Sequence, residues 1–155
     1  MPKSIEMIES LKVPDTTAIT ALQTLHKIGF KKIKDAKRSD YYKFFFEGDS
    51  PRFMADISKV DILVNANKHS CEFSVKKDGS LKVLVKNING DGAGILSTLK
   101  NRLGFRSLAS VEKGTLWSLT IDADDKEKTR IAEKAARELL INENYQEFSI
   151  LQVKP

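Results

Sequence analysis

IGFKKIKDAKRSDYYKFFF (residues 28–46) and LGFRSLASVEKGTLWSLTI (residues 103–121) are the two stretches that decide the fold of this chain. Each opens on a Gly-Phe pair, Gly29-Phe30 in one and Gly104-Phe105 in the other. Tyr42, Phe44 and Phe46 lie two apart, and at the offset that separates the two glycines so do Trp117, Leu119 and Ile121. Alternation with a period of two places all three side chains on one face of a strand, so both stretches predict a strand with a large apolar face. Acidic residues continue the correspondence at the same offset, Glu47 with Asp122 and Asp49 with Asp124. A fixed period carried over this length is the signature of an internal repeat.

The repeat extends in both directions. Upstream of each Gly-Phe pair, apolar residues recur every three or four positions, as on the buried stripe of a helix. They are Ala18, Leu22, Leu25 and Ile28 behind Pro14-Asp15-Thr16, and Ile95, Leu96, Leu99 and Leu103 behind Gly90-Asp91-Gly92. Asp15 and Asp91 are the expected N-caps, because a short carboxylate accepts the unpaired amide hydrogens of a first turn. Downstream, Ser50-Pro51 reads as a cap followed by proline at the first helical position, and Asp124-Asp125 puts negative charge where a helix dipole favours it. Phe53, Ile57 and Val60 then mark one apolar stripe, and Ile131, Ala135 and Leu139 the other. Ile62-Leu63-Val64-Asn65-Ala66-Asn67 parallels Leu139-Leu140-Ile141-Asn142-Glu143-Asn144. Cys71, Phe73 and Val75 alternate in one closing strand, Phe148 and Ile150 in the other. First strands are expected at Ser4–Leu11 and Leu81–Lys86, with Lys76-Lys77-Asp78-Gly79-Ser80 as the turn between copies. Each copy therefore reads β-α-β-β-α-β, giving an α+β fold of two tandem two-layer units, residues 1–76 and 77–155, packed as a pseudo-dimer. One such copy alone is small enough to be marginal, and a second copy packed against it relieves that weakness.

Composition narrows the function. The chain has 155 residues, 41% of them hydrophobic and 30% charged, as expected of a well-solvated globular protein. No apolar run approaches the roughly 20 residues of a membrane span, and residues 1–6 lack the pattern of a secretory signal. Cys71 is the only cysteine, which excludes an internal disulfide and fits a reducing cytoplasm. The formal charge is +5. Its excess is concentrated in Lys27, Lys31, Lys32, Lys34, Lys37, Arg38 and Lys43, opposed within that stretch only by Asp35 and Asp40. Such a patch favours an acidic partner. Lys31, Lys32, Lys34, Lys37, Arg38, Tyr41 and Lys43 are accordingly the expected partner-contact residues.

Catalytic patterns are missing from the sequence. His26 and His69, the only histidines, have no counterparts in the other copy, and no zinc, P-loop, nucleophile-elbow or dinucleotide motif occurs. No catalytic, cofactor-binding or metal-binding residue is expected. Gly90-Asp91-Gly92-Ala93-Gly94 leads into a helix and resembles a phosphate loop, but Asp91 would repel an anion and the first copy has no such glycines. Asp124/Asp125 and Glu47/Asp49 read as caps rather than as acid–base pairs. Tyr41 and Phe45 would face away from the helices, beside basic residues, as in RNA-recognition sheets of the same strand order. RNA binding through residues 31–46 is therefore the alternative reading, set against burial of the same two rings in a sheet contact.

These features together resemble the PurS family, the small subunit of phosphoribosylformylglycinamidine synthase, here as two tandem copies. The resemblance rests on Asp15 followed by Ile28-Gly29-Phe30, Asp91 followed by Leu103-Gly104-Phe105, and a strand running into a basic turn, Ile33-Lys34-Asp35-Ala36-Lys37-Arg38. Tyr41-Tyr42 and Leu139-Leu140-Ile141-Asn142 complete it. The family's Asp-Pro-x-Gly loop is replaced by Asp15-Thr16-Thr17-Ala18 and by Asp91-Gly92-Ala93-Gly94, and the basic turn is absent from Ser110-Val111-Glu112-Lys113-Gly114. The resemblance implies a ferredoxin-like α+β fold and a subunit without cofactor or catalytic group. It further implies a bridge, in the cytoplasm, between an ATP-dependent synthetase subunit and a glutaminase subunit in purine biosynthesis. Whether two such chains associate further is left open by the sequence.

Overall fold

The strand expected to break at a basic hairpin does not break. In the computed structural model, which describes residues 3–60, 63, 69–75, 77–90 and 92–151, the chain runs without interruption from Ile33 to Phe46 as one 14-residue strand, β2. It is preceded by β1 (Lys3–Leu11) and helix α1 (Thr16–Lys27) and followed by α2 (Ser50–Ile57) and β3 (His69–Glu72). The second half repeats this order with β4 (Leu81–Asn87), α3 (Gly92–Asn101), β5 (Leu108–Ile121), α4 (Asp125–Ala135) and β6 (Gln146–Leu151). Each half is thus β-α-β-α-β, not β-α-β-β-α-β. The correction has a simple cause: Lys37-Arg38-Ser39-Asp40 contains neither glycine nor proline, and polar side chains on an extended backbone are as compatible with a solvated strand as with a turn. The fold class is α+β, with six strands among the described residues in the order β3-β1-β2-β5-β4-β6. The pairings of β1 with β2 and β3, and of β4 with β5 and β6, are all antiparallel.

Chain punctuation explains the helices. Asp15 Oδ1 accepts the Thr17 and Ala18 amides at 3.0 and 3.3 Å, capping α1 as its sequence predicts. Gly29, at φ +108°, and Gly104, at φ +79°, turn the chain out of α1 and α3. That conformation is open to glycine at little cost. Phe30 N–H then donates to Leu25 O at 2.8 Å, and Phe105 N–H to Leu99 O at 3.0 Å. The cap of α2 is Asp49, one residue earlier than expected, so that Ser50 and Pro51 form its first turn. Asp124 caps α4 through the Glu127 amide at 2.8 Å. Beyond Ala135 the helix widens into a π-helical turn, Ala136–Leu140, closed by Ile141 N–H on Ala136 O at 3.0 Å. Asp91, Ile62 and residues 64–67, singled out in the sequence, lie outside the described residues.

Packing divides the chain differently from the sequence repeat. Two compact units form, one from Met1–Val13, Asp40–Val75 and Asn89–Gly114, the other from Pro14–Ser39, Lys76–Ile88 and Thr115–Pro155. Each takes one first helix and one second helix, but from different halves of the chain.

In the first unit the strands β3, β1 and the second part of β2 pair in register, Met7 opposite Tyr42 and Glu9 opposite Asp40 and Cys71. The end of β2 meets the start of β5 where Glu47 N–H donates to Ser107 O at 3.1 Å. Met7, Tyr42, Phe44 and Phe46 bury their side chains against Phe53 and Ile57 of α2 and Leu99 of α3. Phe53 is the centre: its ring stacks on Phe46 at 4.1 Å and meets Phe44 and Phe105 edge-on at 5.7 and 5.8 Å.

In the second unit β4 lies between β5 and β6, Val83 opposite Trp117 and Ile150. The start of β2 joins the end of β5 where Asp122 N–H donates to Lys32 O at 2.8 Å. Val83, Val85, Trp117, Leu119 and Ile121 pack with Ala18 and Leu25 of α1 and Ala132, Ala135 and Ala136 at the end of α4. The small alanines of the second helix leave room for Trp117, where the first unit uses larger helix residues over its phenylalanines.

The long strands bury matching positions. Ile33, Ala36, Tyr41, Tyr42, Phe44 and Phe46 are buried in β2. At the repeat offset, Leu108, Val111, Leu116, Trp117, Leu119 and Ile121 are buried in β5, which adds Gly114.

Candidate functional site

The basic stretch falls into two parts, because its residues belong to different units. In the second unit Lys31, Lys32, Lys34 and Lys37 are exposed and Arg38 is half-buried. Arg38 is not offered to a partner: its guanidinium clamps Asp15, with Nε 3.0 Å from Oδ2 and a terminal nitrogen 3.3 Å from Oδ1. The same carboxylate caps α1, so Arg38 fixes the cap to β2 with a two-pronged ion pair. Lys32 Nζ lies 2.5 Å from Glu127 Oε1 near the start of α4. Of the expected contact residues in this part, Lys31, Lys34 and Lys37 are the exposed cations outside these two ion pairs.

Tyr41 and Lys43 belong to the first unit. Tyr41 is only 3% exposed and its hydroxyl donates to Glu6 Oε2 at 2.5 Å. Burial, with the Glu6 carboxylate beside it, pushes this hydroxyl well above the usual tyrosine range. A ring so enclosed presents no face to a nucleobase, so the RNA reading loses its principal aromatic. Lys43 Nζ sits over the half-buried Phe45 ring, 5.4 Å from its centroid.

The remaining sequence candidates have local explanations. A ring nitrogen of His26 meets the Ile33 carbonyl at 2.6 Å, tying α1 to the start of β2. In the glycine-rich loop, a Cβ on Gly92 would stand 1.8 Å from Val111 O. Glycine is required there by the approach of α3 to β5, which accounts for the residue without a ligand. Among the described residues no group of three or more His, Cys, Asp or Glu side chains is placed to hold a metal ion.

Three features escape the sequence reading. A groove of about 410 Å³ in the second unit is lined by Thr16, Thr17, Thr20 and Thr24 of α1 with Trp117, Leu139 and Leu140. Lys82 is 5% exposed, its ammonium held by Asp78, Ser80 Oγ at 2.8 Å and Ser118 Oγ at 2.9 Å. Hydrogen bonds from Ser80, and Lys82 beside it, hold the Asp78 carboxyl down to about 2. Glu9 of β1 is 3% exposed and pairs with His69 of β3 at 2.8 Å. Strand alternation hints at Glu9, which shares its face with Ile5 and Met7, but only the register reveals its partner.

Residues 82–154 match the family model of PurS, described as phosphoribosylformylglycinamidine (FGAM) synthase. Over these residues the chain is similar to PurS. The matched segment runs from β4 through β6 and contains Leu103-Gly104-Phe105 and Leu139-Leu140-Ile141-Asn142, two of the motifs that carry the resemblance. No curated protein matches the chain. Among the described residues no helix is long and apolar enough to cross a membrane.

Proposed function

We propose that this chain is a non-catalytic small subunit of FGAM synthase made of two PurS-like repeats, residues 1–76 and 77–155, forming a pseudo-dimer within one polypeptide. The observation that carries the reading is the match of burial between β2 and β5, position for position, at the offset of the Gly-Phe pairs. One half is similar to PurS, and the other reproduces its elements, its positive-φ glycine after the first helix and its buried positions. Covalent linkage raises the effective concentration of each repeat for the other. In this reading the chain works in the cytoplasm, bridging the ATP-dependent synthetase subunit and the glutaminase subunit. Lys31, Lys34 and Lys37 supply a contact for an acidic face of one of them.

Reconstitution tests it. Glutamine-dependent FGAM formation by the synthetase and glutaminase subunits is expected to require the chain, and the three proteins to co-elute on sizing. Reversing Lys31, Lys34 and Lys37 to Glu is expected to weaken the complex at least about tenfold, more so at low salt, because steering between exposed charges is screened by ions. Undiminished activity without the chain, and no complex, would reject the assignment. Salt-sensitive retention of RNA in place of a protein complex would instead favour the nucleic-acid reading.

A further inference from the structure

Glu9 is an acid where the fold asks for none. It lies on the core side of β1 with Ile5 and Met7, opposite Asp40 on β2 and Cys71 on β3. The equivalent residue of the second unit is Val85, opposite Thr115 on β5 and Phe148 on β6, and buried to the same extent. Valine satisfies that position by packing alone. Replacing it with a carboxyl group removes apolar contact and adds a group that is costly to bury.

The group is only partly compensated. Glu9 Oε1 meets His69 Nδ1 at 2.8 Å, whereas Glu9 Oε2 is buried without a hydrogen-bond partner. The titratable side chains around it are His69 and Cys71 from β3, Asp40 and Tyr42 from β2, and Lys113 from β5. An ionised carboxylate here would leave one oxygen bare and face Asp40 directly across the strand pair. A proton on the carboxyl removes the charge, which lowers the cost of the bare oxygen and ends the repulsion from Asp40. His69 belongs to β3, a four-residue edge strand that among the described residues pairs with β1 alone. The Glu9–His69 bond thus joins the least secured strand of this unit to its neighbour.

We propose that Glu9 and His69 form a proton-linked latch, closed while the buried carboxyl keeps its proton and loosened when that proton is lost, so that β3 detaches from β1 more readily. Burial first, then Asp40, raises the Glu9 carboxyl from an ordinary 4.5 to about 7, with Lys113 acting in the opposite sense. A carboxyl raised on folding stabilises the fold fully below its ordinary value and ceases to do so as pH climbs through about 7. The latch therefore opens on the alkaline side of neutrality.

Carboxyl-carbon NMR of the full chain labelled at glutamate tests this directly, without any substitution. Glu9 is expected to titrate near neutrality, apart from the exposed glutamates. Amide exchange at Ser70, Cys71 and Glu72, corrected for its intrinsic pH dependence, is expected to accelerate about tenfold or more between pH 6 and 8, a tenfold change corresponding to one pKa unit of coupling. Glu9→Val, which copies the second unit's Val85, and Glu9→Gln are expected to abolish that acceleration. A Glu9 resonance that titrates with the exposed glutamates, or acceleration that persists in both variants, would overturn the proposal.

Discussion

Gly92 and Gly94 stand two residues apart on the same helix yet differ in what they can become. A Cβ at Gly92 meets the Val111 carbonyl at 1.8 Å, and one at Gly94 meets nothing within 4 Å. Gly92→Ala is expected to lower stability by about 1–3 kcal/mol, since backbone rather than a flexible side chain must move. Gly94→Ala is expected to raise it by up to about 1 kcal/mol through helix propensity. Urea titration of both variants decides the matter, and equal midpoints would contradict the close approach of α3 to β5. A Gly-x-Gly spacing in sequence shows that small residues are wanted without showing by what. Caps are more legible: Asp15 and Asp124 act within three residues of themselves, so their roles can be written down before any fold is known. Arg38 is the opposite case. Its positive charge is plain in the sequence, but its use as a clamp on Asp15, 23 residues away, depends on how α1 returns to β2.

At the scale of elements, the helices follow the sequence except at their ends, where Ile28 and Leu103, expected on the buried stripes, lie past α1 and α3 and are exposed, and β2 departs from it. Apolar spacing locates α1, α3 and α4 because burial on one face imposes the helical period on the residues themselves. The middle of β2 carries no such mark: Lys34 and Lys37 are exposed and Arg38 and Ser39 half-buried, so the alternation that identifies a strand is lost there. Continuity is set by hydrogen bonding to neighbouring strands, which these side chains do not report. Lys37→Pro separates the two possibilities. A hairpin turn would tolerate it, whereas proline inside a continuous strand cannot donate to a ladder, and the variant is expected to melt below the parent in thermal denaturation. The first closing strand is also shorter than its pattern implies: alternation runs on through Val75, but β3 ends at Glu72.

At the scale of the molecule, the halves of the sequence and the units of packing are different objects, since α1 and α4 share one core while α2 and α3 share the other. Residues 77–155 alone therefore contain no complete set of core elements. This fragment is expected either to remain unfolded or to pair with a second copy of itself, and sizing with light scattering would show which. A folded monomer would contradict the exchange of helices. That exchange is invisible in sequence because first helices of like length and polarity, α1 and α3, suit either core. The agreement of β2 and β5 inside, and their disagreement outside, has an evolutionary consequence. A pair of identical subunits must accept every surface change twice, once on each partner, including where only one is useful. With the two versions encoded in tandem, a lysine gained near Lys34 has no obligatory twin near Ala109, so one flank is free to specialise while the shared interior holds both to the same architecture.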